Sequence, residues 1–333
     1  MNLLISKRFN NKKQVFGLIL TVLLNINLNA QLNTSHFRLV EEGYNAQDEF
    51  IEGFYIHVFE ESVQDYKTYY NDRHIKKAPK KWGDPKLPIV NVTYDDAIDY
   101  CKWLSEKYDL PFRLPTEIEW EYAARAGNFY DDNYIYNKEL PNRYVVYIGN
   151  SHKNDKPNCI SCMQPNEIGL YAMCGNVWEW TVKSEKSNTI NVVGGSFFED
   201  SDHVKVNTKK AFNKYYKRGD LGFRVVVNAK DFKDYIFLEK AKTLLEAIKR
   251  DENVDIEFTK NGIYQGDLFI DWDNFETFSY NEENRTAEFC CWVQNKNNLG
   301  YEIQDPISFK FNKKTIANLE KLSEHLNNKH YEF

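Results

Sequence analysis

The stretch MCGNVWEWTVK, at residues 173–183, limits the folds open to this chain more than any other segment. Trp178 and Trp180 flank Glu179 just after a Gly–Asn pair. An indole is large, and its N–H needs a partner when it is buried. A buried carboxylate must also be paired or hydrogen-bonded. The segment therefore predicts a core element whose polar partners come from other parts of the chain.

Length, composition and charge are those of a folded protein that does not bind nucleic acid. The chain has 333 residues, of which 42% are hydrophobic and 15% aromatic. The length predicts two domains or one large domain, and the composition argues against disorder. The net charge is −6 and becomes −10 without residues 1–30, which carry four positive charges and no acidic residue. Such a chain has no net basic field to neutralise phosphates.

Residues 1–30 have the pattern of a signal peptide. A basic start is followed by the apolar run VFGLILTVLLNI and by LNA, a small-residue cleavage site ending at Ala30. The apolar run is too short to span a bilayer comfortably, although a retained N-terminal anchor is the alternative. We therefore expect a mature chain without a transmembrane span, exported to the periplasm, the outer envelope or the medium. In that setting CISC, Cys159 to Cys162, is a candidate disulfide.

Local signals predict helices and strands up to Asn228. A helix is expected around residues 62–70. Thr93 can cap a second helix, and Thr116 with Glu119 fits a capping box that opens a third. In VVGGSFFED (192–200) a strand is expected that ends at the Gly194–Gly195 pair, and another strand is expected over residues 221–227.

The composition changes after Asn228. Residues 231–250 are amphipathic, and a terminal helix is expected over the last apolar positions, Ile316 to Leu326. Residues 254–260 alternate as a strand does, and Asn261–Gly262 is a hairpin signal. Further strands are expected over 267–273, 286–294 and 306–311. Residues 229–333 are therefore predicted to form a separate α+β module.

Four motifs stand in order along the first part of the chain: LPFRLPTEIEWEYAARAG, PNEIGLYAMCGNVWEW, VVGGSFFED and LGFRVV. In sequence and order they resemble the formylglycine-generating enzyme family, also called the sulfatase-modifying-factor family, over residues 36–228. The resemblance implies an α+β domain at 31–228 that is poor in regular secondary structure and related to the C-type lectin fold. The motif residues expected to hold it together are Arg113, Glu119, Asn176, Trp178, Trp180, Gly194, Gly195 and Arg224.

The catalytic metal of the family is not expected in this chain. Its oxidases bind copper through two cysteines, four residues apart, between the GGS and LGFR motifs, because Cu(I) prefers thiolates. That interval contains no cysteine here, and there is none between Cys174 and Cys290. The family's iron enzymes need grouped histidines, whereas the seven histidines of this chain are scattered. No catalytic residue is predicted.

A structural calcium is the remaining metal that the resemblance implies. Its ligands would be the carbonyls of Gly175 and Val177 and the carboxylate of Glu179. Ala172 stands where the family places an oxygen-bearing side chain, so the site is weakened. Alternatively, Glu179 pairs with a buried arginine, for which the candidates are Arg113, Arg125 and Arg224.

Three functions are compatible with these observations. The favoured one is an exported, catalytically silent family member that binds a protein or peptide partner in the cell envelope or outside it. The second is an oxygen-dependent oxidoreductase of the same family whose metal ligands are other residues. The third is a carbohydrate-binding, lectin-like module, which the fold and the aromatic content suggest.

Overall fold

The structure is a computed structural model, and the chain in it divides into two compact units. One unit ends at Val227 and the other begins at Asn228. The described residues are 31–45, 48–75, 83–127, 141–151, 156–182, 189–250, 252, 254–266, 268–273, 275–294, 301–303 and 307–328. The predicted signal peptide, residues 1–30, lies outside them.

The described part of the first unit has four α-helices, two of which begin at the predicted caps Thr93 and Thr116. They are α1 (Val63–Asp72), α2 (Tyr94–Tyr108), α3 (Glu117–Ala124) and the short α4 (Pro141–Tyr144). The Ser62 hydroxyl accepts a hydrogen bond from the amide of Asp65, which starts α1. Thr93 and Thr116 each form a capping box, with Asp96 and Glu119 respectively. These side chains satisfy amides that the first turn of a helix leaves without a partner. The predicted caps at Thr93 and Thr116 are confirmed, whereas the cap at Ser62 was not predicted.

Strands of the first unit are short and form three sheets. They are β1 (Phe37–Val40), β2 (Gly43–Tyr44), β3 (Phe50–Ile51), β4 (Phe54–His57), β5 (Trp178–Trp180), β6 (Ile190–Val193), β7 (Lys209–Phe212), β8 (Leu221–Gly222) and β9 (Val226–Asn228). The sheet orders are β1-β4-β9 and β7-β6-β5-β8, and β2 pairs with β3. Strands of two to four residues fit the low content of regular structure that the resemblance implies.

The single strand predicted over residues 221–227 is wrong, because the segment changes sheets. Leu221–Gly222 pairs with β5, whereas Val226–Asn228 belongs to the sheet of β1 and β4. Between them the carbonyls of Phe223 and Val225 accept hydrogen bonds from Glu61 and His57. The change of partner carries the side chain of Arg224 into the interior, where it is fully buried.

The second unit has helices at both ends and antiparallel strands between them. Its helices are α5 (Ala229–Lys249) and α6 (Ile316–Asn327). Its strands are β10 (Glu257–Thr259), β11 (Gly262–Gln265), β12 (Leu268–Asp271), β13 (Phe275–Asn281), β14 (Thr286–Gln294), β15 (Tyr301–Ile303) and β16 (Ile307–Lys310). The first three form one sheet in chain order, and β14 pairs with β13, β15 and β16.

An apolar core of its own supports the second unit. The apolar faces of α5 and α6 contribute Leu245, Ile248, Leu319 and Leu322, which cluster with buried strand residues such as Phe289. The predicted α+β class therefore holds for both units. Among the described residues, no helix is long and apolar enough to cross a membrane.

Candidate functional site

The central strand of the four-stranded sheet carries the Trp–Glu–Trp motif. Glu179 lies opposite Val193 of antiparallel β6 and opposite Gly222 of parallel β8. Successive side chains of a strand point to opposite faces. The carboxylate of Glu179 therefore points away from the indoles of Trp178 and Trp180, although it stands between them in the sequence. All three residues are buried.

Each indole of the motif has its own hydrogen-bond acceptor. Trp178 Nε1 donates to Glu199 Oε1 at 3.2 Å, and Trp180 Nε1 donates to the carbonyl of Val92 at 3.1 Å. Trp178 also lies 4.9 Å from the ammonium of Lys210, over the ring. The two tryptophans are thus fixed by neighbouring loops and do not contact the carboxylate through their N–H groups.

Glu179 forms a buried ion pair with Arg224. Arg224 Nε donates to Glu179 Oε2, and Nη2 donates to Oε1, both at 2.7 Å. A third donor, Trp120 Nε1, reaches Oε2 at 2.7 Å from helix α3. Glu179 is 1% exposed and Arg224 is fully buried. The pairing therefore lies in a medium where an unpaired charge would be costly.

The guanidinium of Arg224 uses all its N–H groups. Besides Glu179, it donates from Nη2 to the carbonyl of Tyr171 at 3.1 Å. Nη1 donates to the carbonyls of His57 and Val58 at 3.3 and 3.5 Å. A guanidinium has five N–H donors, and each of them has an acceptor here. Arg224 thus joins the end of strand β4, the segment at Tyr171 that precedes GNVWEW, and strand β5 in one network.

The other two candidate arginines have different partners. Arg113 donates from Nη1 and Nη2 to the two oxygens of Glu119, at 2.7 and 2.6 Å. Burial opposes ionisation of Glu119, but the hydrogen bonds and charge of Arg113 lower the pKa of its carboxyl below the ordinary value. Arg125 pairs with Glu121 on the same helix at 2.9 Å. Both pairs fix helix α3 and lie outside the Glu179 network.

A second buried carboxyl group, Glu60, lies beside the motif. Its oxygens accept hydrogen bonds from Asn176 Nδ2 at 2.7 Å and from the Val177 amide at 3.3 Å. Burial and the nearby charge of Glu179 raise the pKa of Glu60 to about 8, even though Arg224 acts in the opposite direction. Glu60 is not recognisable from the sequence as a core residue, because its neighbours in the chain follow no pattern that indicates burial.

Glycines of the motifs are required by close backbone approaches. Gly175 has a φ of 74°, and a Cβ on it would lie 1.9 Å from the carbonyl oxygen of Val146. Gly195 has a φ of 81°, and its Cβ would lie 2.4 Å from the carbonyl oxygen of His203. Gly194 packs against the ring of Trp120, the residue that donates to Glu179. Replacement of any of them would strain the backbone around the ion pair.

Metal ligands are missing from the region where the family's copper would bind. Residues 189–249 are all described, and they contain no cysteine. Nowhere among the described residues do three His, Cys, Asp or Glu side chains form a group that could hold a metal ion. Cu(I) requires soft sulfur ligands, so these residues do not fit it.

The residues expected to hold calcium form a different network. Glu179 accepts two hydrogen bonds at Oε2 and one at Oε1. Ala172 is buried and offers no side-chain oxygen. Calcium takes about six to eight oxygen ligands, and the charge of Arg224 repels a cation at the same carboxylate. This set of residues therefore does not fit a calcium ion.

The cysteine-free interval presents aromatic side chains at the surface instead. Phe212, Tyr215 and Tyr216 lie on β7 and in the loop after it, and we call them the aromatic patch. Tyr215 is 69% exposed and Tyr216 is 41% exposed. The ring of Phe212 stacks on Tyr216 with centroids 4.5 Å apart and meets the buried Trp180 at 6.4 Å. Strand β5, which carries Trp180, therefore supports the aromatic patch from the interior of the protein.

A separate cavity of about 140 Å³ is lined by His57, Glu61 and Tyr100. Tyr100 Oη donates to Glu61 Oε2 at 2.7 Å, and His57 Nδ1 lies 3.0 Å from Glu61 Oε1. This last contact is an ion-pair distance without the angle of a hydrogen bond. Burial alone would lower the pKa of His57, but the carboxylate of Glu61 outweighs it and raises that pKa. This cluster was not anticipated from the sequence.

The two cysteines of CISC are joined to each other. The structure has a disulfide between Cys159 and Cys162, with their Cα atoms 5.2 Å apart. Cys101 and Cys174 are both buried and are not joined in a disulfide.

Comparisons with known proteins agree with the resemblance. The family model of the sulfatase-modifying factor enzyme 1-like domain matches residues 31–229. The inactive C-alpha-formylglycine-generating enzyme 2 of Bos taurus is 32% identical over 163 residues, which are 43% of this chain and 51% of that protein. The formylglycine-generating enzyme of Thermomonospora curvata is 34% identical over 120 residues, which are 31% of this chain and 37% of that protein.

The chain spans about half the length of the curated inactive relatives that it matches. Among solved structures, PvdO from Pseudomonas aeruginosa superposes with a TM-score of 0.49 at 21% identity. That superposition covers 58% of this chain and 94% of the other.

Proposed function

Because the chain belongs to the sulfatase-modifying factor enzyme 1-like domain family, we propose that it is an exported member without formylglycine-generating activity that binds a protein or peptide partner. The observation that carries the proposal is the interval between the GGS and LGFR motifs. This interval lacks the cysteines of a copper site and presents the aromatic patch in their place.

Loss of the oxidase reaction follows from the ligand chemistry. Without paired thiolates the interval cannot hold Cu(I), and the reaction of the family's oxidases requires that metal. The motif residues serve packing: the Glu179–Arg224 pair and the glycines hold the loops together. Two relatives named as inactive, each 32% identical over 163 residues, are among the proteins that this chain is similar to, which supports the proposal.

Binding of a protein or peptide is supported by the character of the patch. Aromatic side chains that are exposed on a rigid support are enriched at protein interfaces, and tyrosine is prominent among residues that dominate binding energy. The basic residues of the same interval are mostly neutralised. Lys214 pairs with Asp95 at 2.9 Å, and Lys210 pairs with Glu199 at 2.6 Å. An aromatic patch without a strong basic field favours a protein partner over a nucleic acid.

The activity test uses the chain from residue 31, copper, oxygen and a peptide that carries a sulfatase cysteine. We expect no aldehyde in the peptide by mass spectrometry and no stoichiometric copper or iron in the purified chain. Bound copper or iron together with oxygen uptake would instead support an oxidoreductase with other ligands. Detection of the full-length chain, with its first thirty residues, in the cytoplasm only would refute export.

The binding test uses a photo-crosslinking amino acid at Tyr215 in the cells that produce the protein. We expect a discrete crosslinked protein that is lost when Tyr216 and Phe212 are replaced by serine. A matched control places the crosslinker at Tyr44, which is 60% exposed and contacts Phe50 in the same unit. Equal crosslinking at Tyr44 and Tyr215, or none at either, would contradict a partner at the aromatic patch.

A further inference from the structure

The Cys159–Cys162 disulfide lies at the surface in an open cavity. Cys162 is exposed, and Cys159 is half-buried. The cavity has a volume of about 550 Å³ and is lined by Asn142, Arg143, Cys162, Met163 and Gln164. Exposed disulfides are the ones that exchange with thiols, whereas buried structural disulfides resist reduction.

The local backbone holds the pair in a tight turn. The amide of Cys162 donates to the carbonyl of Cys159 at 3.1 Å. A disulfide that closes so short a loop removes little entropy from the unfolded chain, so its contribution to stability is small. Stabilisation of the fold therefore does not explain this disulfide well.

Charge and polarity around the cavity suit a thiolate. Arg143 and Cys162 line the same cavity, and a cation close to a cysteine favours the thiolate over the thiol. Both cysteines are half-buried or exposed, in contrast to Cys101, whose pKa is raised by burial. Of the two residues, Cys162 is the more exposed and is the one that lines the cavity, so its sulfur is the expected point of attack.

From this arrangement we propose that the Cys159–Cys162 pair is a thiol–disulfide exchange site that accepts two electrons from a dithiol of a partner protein. A partner thiolate attacks Cys162 Sγ and forms a mixed disulfide, while the bond to Cys159 breaks and Cys159 Sγ leaves as a thiolate that takes a proton from water. The partner's second thiolate then attacks the partner's first sulfur in the mixed disulfide. The bond to Cys162 breaks, and Cys162 Sγ leaves as a thiolate. The partner ends as a disulfide and the chain as a dithiol, so the electrons balance.

The same turn is tied to the motif of the family. The amide of Asn158 donates to Asn176 Oδ1 at 2.8 Å, and Asn176 Nδ2 donates to Glu60. The residue next to Cys159 thus contacts the GNVWEW loop directly. A mixed disulfide at Cys162 would hold a partner beside that loop. The inference rests on the disulfide and its cavity and does not depend on the aromatic patch.

A reduction experiment tests whether the disulfide is labile in the folded protein. The chain from residue 31 is equilibrated in glutathione buffers of increasing reducing strength, alkylated, and mapped by peptide mass spectrometry. We expect Cys159 and Cys162 to become alkylated while circular dichroism stays that of the folded chain, with the buried Cys101 and Cys174 unmodified. A disulfide that stays intact until the chain unfolds would overturn the proposal.

Single-cysteine variants test the direction of attack. In Cys159→Ser the thiol of Cys162 should react with an aromatic disulfide reagent at least about tenfold faster than the thiol of Cys159 does in Cys162→Ser. Arg143→Gln should slow the Cys162 thiol several-fold at an unchanged thermal midpoint. Equal rates in the two cysteine variants would contradict attack from the cavity.

A substrate assay tests the exchange itself. A reduced peptide with two cysteines, mixed with one equivalent of the oxidised chain, should become a disulfide while the chain becomes a dithiol. The variant with both Cys159 and Cys162 replaced by serine should leave the peptide reduced. A wild-type chain that also leaves it reduced would refute the proposal, whatever the outcome of the binding test at Tyr215.

Discussion

Replacement of Glu179 by glutamine should destabilise the first unit severely. The substitution keeps the shape of the side chain but leaves the buried charge of Arg224 without its counter-ion. It also turns an acceptor of three hydrogen bonds, two from Arg224 and one from Trp120, into a group that can accept fewer. Breaking a buried pair by removal of one partner costs about 3–5 kcal/mol. Both residues are at most 1% exposed, so solvent does not screen the loss.

This loss is large against the whole stability of a domain, which is about 5–15 kcal/mol. The measurement is urea unfolding followed by tryptophan fluorescence, with the slope of the transition checked for constancy. Glu119→Gln is the matched control. It breaks the pair with Arg113, whose side chain is 34% exposed, so its cost should be about 1 kcal/mol.

Two outcomes would refute the assignment of Glu179 as the partner of Arg224. One is a decrease in the free energy of unfolding of less than about 1 kcal/mol in Glu179→Gln, because removal of the partner of a buried charge costs more than that. The other is a loss that appears only when calcium is present, since that would make Glu179 a metal ligand. The double variant Glu179→Leu with Arg224→Met adds an internal check. It should be more stable than Glu179→Leu alone, because it leaves no unpaired charge in the core.

Three further predictions follow from local geometry. Gly175→Ala should lower the free energy of unfolding by at least about 2 kcal/mol, measured by urea unfolding, because its Cβ would meet the carbonyl of Val146 and its φ is 74°. Thr93→Ala should cost about 1 kcal/mol through the lost helix cap, and Thr93→Ser, measured in the same way, should restore most of it. Glu119 has a lowered pKa in the folded state, so its stabilisation is complete above its ordinary pKa of about 4.3 and is lost as the pH falls through the folded value. Acid titration of Glu119→Gln should therefore show a shallower loss of stability than the wild type, and parallel curves would exclude the Arg113 pair as the cause.

Local features of the fold were predictable from the sequence. The caps at Thr93 and Thr116 are each defined within three residues, so they needed no knowledge of the rest of the chain. The hairpin near Asn261 was also predicted, although its turn lies one residue earlier, because Thr259 pairs with Gly262. By contrast, the sequence predicts one strand over residues 221–227, because every residue in that segment is compatible with a buried strand. Only the pairing partners divide that segment between two sheets.

The family of this protein can be identified from its sequence, because four motifs in order are enough to specify it. The sequence also shows the absence of cysteines from the interval where copper would bind. It left three arginines as partners for Glu179. Tertiary structure chose Arg224, 45 residues away, and brought Glu60 to Asn176 across 116 residues. Sequence patterns report on neighbours along the chain, whereas a buried charge is satisfied by whichever group the sheet register places beside it.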